Sequence, residues 1–285
     1  MSQVRSDYRC YFCFTRAYER LLAKENAAPA KKQLFVEKMN AAFLEMKHNF
    51  YAPKYSRVLR NSFHELFGEA DLYTHEQKIS NDVALDLYPR LGNLVFSSEN
   101  PFQTAMRLAL AGNVIDFGVH SEYDLEKSIE YVLHTPLAID NSVELHDMLQ
   151  NANTVLYLGD NSGEIVLDKL FIETIMHPNM YFAVRGAPVL NDVTFEDAHY
   201  VRIDDVADVI SNGYDAPSTD LNHVSSEFLE IYHKADVIIS KGQGNLEGLL
   251  GNMNSKIFFL LMVKCDVVAE AIQVKKGDFV VLKNA

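Results

Sequence analysis

Beyond residue 150 the sequence alternates between short, β-branched runs and helix-length segments, and that rhythm narrows the possible fold more than any other feature. "TVLYLG" (154–159), "MYFAVRG" (180–186), "HYVRID" (199–204), "ADVIISK" (235–241), "KIFFLLMVK" (256–264) and "FVVLK" (279–283) read as strands. Helical patterns at 162–176, 224–233, 244–250 and 266–273 fall between several of them. Strands without polar alternation, separated by helices, call for a mostly parallel sheet covered on both faces. Before residue 150 the apolar spacing is helical, as in "CYFCFTRAYERLL", "KQLFVEKMNAAFLEMKH" and "KSIEYVLHT". "SSENPFQTAMRLALAGNVID" reads as a loop and then a helix with Pro101 in its first turn, closing near Gly112. The expected architecture is an all-helical N-terminal region (1–150) followed by a Rossmann-like α/β domain (151–285). In an open parallel sheet, ligands bind at the carboxyl ends of the strands, where loops and helix N-termini converge.

Bulk properties exclude some functions. A chain of 285 residues buries a sizeable core without staples, and three cysteines, at 10, 13 and 265, suit a reducing compartment. The N-terminus lacks the apolar segment of a secretion signal, and the best apolar run, "IFFLLMV", is strand-length. A soluble, cytoplasmic protein is expected. With a formal charge of −13 and no Lys/Arg-rich run, the chain offers no positive face to a duplex, which argues against nucleic acid as a partner. An anionic small substrate remains possible, provided local cations overcome the background field.

Three strand ends carry the chemistry. Asp160 and Asn161 follow "TVLYLG" and open a helix. They could simply cap it, with Glu164 at roughly capping-box distance. The next strand ends in a loop with Arg185, then Asn191 and Asp192, then Glu196 and Asp197. If the two strands are parallel neighbours, Asp160, Asn161 and Asp192 converge. Two carboxylates and an amide oxygen suit Mg²⁺ or Mn²⁺ rather than structural zinc. A third strand ends in Lys241, followed by Gly242, Gln243, Gly244 and Asn245. Glycines there let backbone N–H groups approach an anion, and Lys241 adds a point charge for phosphate. A bare Gly-rich turn is weak by itself. Together these are the ingredients of metal-assisted phosphoryl transfer.

In this order, "YLGDNSGEIVLDKL", "VRGAPVLNDVTFEDA", "NGYDAPSTDL" and "ISKGQGNLEGL" resemble the DUF89 family of metal-dependent damage-control phosphatases. "NPFQTAMRLALAGNVIDFG" and the N-terminal "CYFC" extend the resemblance, toward the stand-alone prokaryotic branch, over nearly the whole chain. The resemblance implies a three-layer α/β/α domain behind the helical region and hydrolysis of phosphate monoesters of small or damaged metabolites. It places a divalent cation (Mn²⁺, Mg²⁺, Co²⁺ or Ni²⁺) on Asp160, Asn161 and Asp192, and phosphate on Lys241. Asn113 and Asp116 in "GNVIDFG" either reach the site or satisfy a local turn. Glu164 orients a water or only favours the helix N-terminus. Arg185 pairs with phosphate or with Asp197, and Asp215 lines the substrate pocket or only shapes its turn. Where many relatives carry Gly after "DAP", this chain has Ser218.

Other features carry less. Cys10 and Cys13 lack the partners of a zinc site and are expected as two buried thiols one helical turn apart. The ten histidines form no metal spacing. Two competing readings remain. One is an S-adenosylmethionine-dependent methyltransferase, which the glycine pattern and the "VRG" strand end oppose. The other is a non-catalytic, metal-dependent binder of phosphorylated metabolites.

Overall fold

The computed structural model describes residues 7–48, 50–68, 73–112 and 122–284. Asn113 and Asp116 lie outside the described residues. Helices α1 (Tyr8–Lys24), α2 (Pro29–Met46) and α3 (Ala52–Phe67) open the chain, followed by α4 (Thr74–Ser97), α5 (Pro101–Ala111) and α6 (Glu122–His134). Strand β1 (Leu137–Asp140) and helix α7 (Ser142–Asn151) come next. Then follow β2 (Val155–Leu158), α8 (Glu164–Ile175), β3 (Met180–Val184), α9 (Phe195–Tyr200) and β4 (Asp208–Ser211). The chain ends with α10 (Ser226–Lys234), β5 (Val237–Lys241), α11 (Gly242–Leu249), β6 (Ile257–Met262), α12 (Asp266–Ile272) and β7 (Phe279–Lys283).

The seven strands form one sheet in the order β1-β7-β6-β5-β2-β3-β4. Every neighbouring pair is parallel except β6 and β7. All four β2 side chains are buried, and their pleat divides them between two cores. Val155 and Tyr157 face one, with α4, α5 and α8; Leu156 and Leu158 face the other, with α10, α11 and α12. Each fully buried apolar side chain contributes about 1.5–3 kcal/mol of transfer free energy, so both faces of this strand hold helices. That is the layered arrangement expected of apolar runs without alternation.

The N-terminal helices divide in two. Helices α1–α3 share a core of their own, built on Tyr18, Phe35, Tyr55 and Phe63. Helices α4–α6 pack into the sheet's core through Leu91, Val95, Leu108 and Val132. The α/β layer also begins earlier than residue 150, because Leu137–Asp140 pairs in parallel with β7.

One expected strand is a correction. "HYVRID" ends α9 and enters a 3-10 turn at Ile203–Asp205. The reciprocal bonds between Thr194 and Asp197 start a helix there, and Arg202 takes a left-handed φ of 60°. The strand is instead Asp208–Ser211, half-exposed at the sheet edge, where an acidic residue is tolerated. The CxxC expectation also changes. Cys10 is half-buried and Cys13 exposed, both as free thiols, because they straddle the edge of the buried face of α1. Among the described residues no helix is long and apolar enough to cross a membrane.

Candidate active site

The strand order reverses direction at β2. The chain runs from β2 outward to β3 and β4, then returns to place β5 on the other side of β2. Such a reversal opens a crevice at the carboxyl ends of the two flanking strands. Asp160 follows β2 and Lys241 ends β5, with Leu158 opposite Ser240.

Backbone pairing brings the third element in. Asn161 and Asp192 form an antiparallel bridge. The Val193 amide donates to the Asp160 carbonyl and the Ser162 amide to that of Asn191, each at 2.9 Å. Neither Asp160 nor Asn161 caps α8, whose N-cap is Gly163. The Gly163 amide goes instead to Asn81 Oδ1 of α4 at 2.7 Å. With capping done from elsewhere, the Asp-Asn side chains are available to the crevice. Asp160 and Asp192 are 7% and 3% exposed.

A buried charge network fills the space. Asn161 Nδ2 donates to Asp160 Oδ2 at 2.7 Å and to Glu164 Oε2 at 3.2 Å. Arg185 Nε donates to Asp192 Oδ2 at 2.5 Å, and its Nη1 to Asn245 Oδ1 at 2.9 Å. Its Nη2 is buried without a hydrogen-bond partner, 3.7 Å from Asp160 Oδ1. Lys241 is fully buried and donates to Glu164 Oε1 and Asp168 Oδ1, both at 2.6 Å, and to the Ala109 carbonyl at 2.8 Å. Tyr157 Oη donates to the same Asp168 oxygen at 2.7 Å.

Glycines let these groups meet. Gly242 has φ +76°, and a Cβ there would lie 1.9 Å from Asp160 Oδ2, so only a bare α-carbon brings the start of α11 against that carboxylate. Gly112, at the end of α5, sits against Glu164, 2.7 Å from its Cγ to a notional Cβ.

The electrostatics follow from burial. Burial first, then the charges of Glu164 and Asp192, push the Asp160 carboxyl up to about 7. Burial raises Asp192 too, against the opposing pull of Arg185. Asp168 rises to about 7, again through burial, despite Lys241. Burial would lower Lys241, yet Asp168 and Glu164 more than reverse this and hold it charged.

Four buried carboxylates, Asp160, Glu164, Asp168 and Asp192, thus face two buried cations, Arg185 and Lys241. Among the described residues no three Asp, Glu, His or Cys groups stand in metal-holding geometry. The expected ligand set has two carboxylates and one amide, and the Asn161 amide group lies between the Asp160 and Glu164 carboxylates.

Comparison with known proteins matches the pattern of residues to a family. The description "Damage-control phosphatase ARMT1-like domain" fits residues 6–280. A damage-control phosphatase of Pyrococcus horikoshii is 43% identical over 187 residues, 64% of this chain and 65% of that protein's length. One from Archaeoglobus fulgidus is 32% identical, over 79% of this chain and 80% of its own. A crystal structure of a DUF89 family protein from Pyrococcus horikoshii superposes with a TM-score of 0.88 at 31% identity, covering 99% of both chains. The chain belongs to this damage-control phosphatase family.

Within the family fold, the side chains expected to hold phosphate do not all face the crevice. Lys241 spends its three N–H bonds inside the protein, because β5 is buried at its very end. Asn245 is a bolt between strands: its Nδ2 donates to the Gly159 and Lys241 carbonyls, and its Oδ1 accepts from Arg185 and Thr219. Gln243 reaches Glu247 and Cys265 and accepts from the Lys264 amide. Gly244 packs on the Pro217 carbonyl. Arg185 pairs with Asp192, not Asp197; Asp197 is taken up by Asn81, Ser162 and Thr194. Asp215 is clamped by Arg57 and Arg60 and lines a cavity beside them. Ser218 is fully buried and its Oγ lies 2.8 Å from Tyr51 Oη.

Sequence reading missed Asp168 and Lys264. Asp168 lies four residues after Glu164 in the apolar helix "EIVLDKLFIETI", a spacing that puts two acids on one buried face. Lys264 stands exposed just beyond β6, where its charge acts on both Asp160 and Asp192.

Proposed function

We propose that the chain hydrolyses phosphate monoesters of small, damaged metabolites with a divalent cation held by Asp160, Asn161 and Asp192. The observation that carries this reading is the charge imbalance of the crevice. Four buried acids against two buried bases leave a surplus of two negative charges at the sheet's switch point, the charge of one divalent ion. Burial first, and then the neighbouring acids Glu164 and Asp192, already hold the Asp160 carboxyl up at about 7, so the crevice favours a cation. Oxygen donors with an amide suit Mn²⁺ or Mg²⁺ first, with Co²⁺ and Ni²⁺ as further candidates. When bound, such an ion supplies Lewis-acid polarisation of the phosphoryl group and a more acidic water.

The chain's own residues do the rest. The N-terminus of α11, brought against Asp160 by Gly242 and left without a side-chain cap, favours an anion. Arg185 Nη2 is the uncommitted donor beside both metal carboxylates. Lys264 supplies the exposed cation on the rim that Lys241 does not. Lys241 acts one step back, fixing the position of Glu164, whose other oxygen accepts from Asn161. The methyltransferase alternative has no support here: where it needs an acid after β3, Arg185 is bonded to Asp192. Three cysteines in 285 residues fit a reducing, cytoplasmic setting.

The test is release of inorganic phosphate from a panel of monoesters, with chelator and with each cation in turn. Metal-dependent release is expected, and Lys264→Met should weaken competitive inhibition by inorganic phosphate about two- to fivefold, the scale of one exposed charge contact (about 0.5–1 kcal/mol). Full activity in chelator would remove the cation from the account.

A further inference from the structure

Two buried amide side chains on α4, Gln77 and Asn81, each touch one of the two turns that carry the expected metal ligands. Gln77 Nε2 donates to the Asp192 carbonyl at 3.1 Å. One helical turn on, Asn81 Oδ1 accepts at 2.7 Å from the amide of Gly163, two residues after Asn161. Residues four apart on a helix share a face and stand about 6 Å apart along its axis, so α4 presents its two contacts at a set spacing. The helix is itself fixed, because Leu87, Leu91 and Val95 are buried in the sheet's core.

Asp197 closes the arrangement from α9. Its Oδ1 accepts from Asn81 Nδ2 at 2.8 Å and from Ser162 Oγ at 3.0 Å. Its Oδ2 accepts from the Thr194 amide at 3.0 Å and the Thr194 hydroxyl at 2.8 Å. Ser162 directly follows Asn161, and Thr194 stands two residues past Asp192, so one carboxylate spans both turns. Tyr200, at the end of α9, accepts from Lys78 and donates to Asp82, which ties that helix back to α4. Capping of α8 needs only the bond from Gly163 to Asn81. It calls neither for the Gln77 contact nor for a carboxylate bonded to both turns. The backbone bridge between Asn161 and Asp192 sets which residues lie opposite one another; the contacts from α4 and α9 fix the angle at which the turns meet.

We propose that Gln77, Asn81 and Asp197 are positioning residues, which set the separation of Asp160 and Asn161 from Asp192 for a divalent cation. The inference rests on the metal assignment above. The three side chains act through the turns they hold, and partners placed behind metal ligands in this way govern affinity by about 10- to 100-fold. The helical region is then part of the metal site as well as a cover for the sheet.

The experiment is calorimetric titration of the metal-free protein with Mn²⁺, which needs no turnover. Gln77→Met keeps the length of the side chain and removes its donor. Ser162→Ala cuts the turn from Asp197 and leaves the cap of α8 in place. Each should weaken Mn²⁺ binding by about tenfold or more, with one ion per chain and an unchanged circular dichroism spectrum. Asn81→Ala should weaken it further and lower stability, since it bares the Gly163 amide. Leu149→Ala is the control: Leu149 is buried near the end of α7, just before β2 begins and so at the opposite edge of the sheet. That variant should unfold more easily in urea and bind Mn²⁺ as the wild type does. Wild-type affinity in Gln77→Met and Ser162→Ala overturns the proposal, as does equal weakening in Leu149→Ala, which would mark a general effect of lost stability. A wild type that takes up no Mn²⁺ would instead sink the metal assignment, and this inference with it.

Discussion

Replacing Lys241 by Met separates two accounts of this lysine. The substitution keeps an apolar stem of similar length and removes only the ammonium. If that group contacted substrate phosphate, the variant would fold normally and bind phosphate weakly. In the structure the ammonium is fully buried and saturated by Glu164, Asp168 and the Ala109 carbonyl. Its loss leaves two buried acids without their cation. Breaking a buried ion pair from one side costs about 3–5 kcal/mol, so a loss of that size is expected in urea unfolding at pH 8. The cost must shrink at low pH. Burial already raises Asp168 to about 7 with Lys241 present, and loss of the ammonium that opposes this raises it further in the folded state. An acid raised on folding binds more protons when folded, so stability falls as pH rises from the ordinary carboxylate range to the raised value. The gap between wild type and variant should therefore be small near pH 4–5 and widest above pH 7. Unchanged stability at pH 8, or a gap that widens on acidification, would refute the reasoning.

The wild type without metal should itself lose stability as pH rises through the range from about 4 to 7, because Asp160 and Asp168 are both raised to about 7. Adding Mn²⁺ at 100 times its Kd should restore about 2.7 kcal/mol at pH 8, read as a shift in the urea midpoint; a flat profile would contradict the burial of these acids. Gly242→Ala should abolish phosphate release and destabilise the fold by about 1–2 kcal/mol, since the methyl group meets Asp160 at 1.9 Å and φ is +76°; a fully active variant would show that the approach of α11 to Asp160 is not needed.

Much of the fold was legible because fully buried strands leave apolar runs with no alternation, as in β2 and β6. Two strands escaped. "LAID" has only four residues, two of them half-buried, and "DVIS" lies at a half-exposed edge, so neither carries a core signature. In the site, Asp160, Asn161 and Asp192 stood out as polar residues at strand ends, and the sheet brings them together as expected. Lys241 also stood out, yet the residues that capture it, Glu164 and Asp168, lie one helical turn apart on α8. Which way a lysine at a strand end turns depends on the packing of that helix, and strand periodicity says nothing of it. Capping of α8 by Asn81, from a helix 82 residues upstream, was equally invisible to local pattern.

The central claim is that Asp160, Asn161 and Asp192 share one divalent ion. Calorimetric titration of the metal-free protein with Mn²⁺ tests this most directly, with Asp192→Ala alongside and its fold checked by circular dichroism. One ion per wild-type chain is expected, with binding and phosphate release both lost in the variant by about two to three orders of magnitude, the scale of removing one preorganised charge contact. Equal Mn²⁺ affinity in the two proteins would mean that the ion, if bound, sits elsewhere.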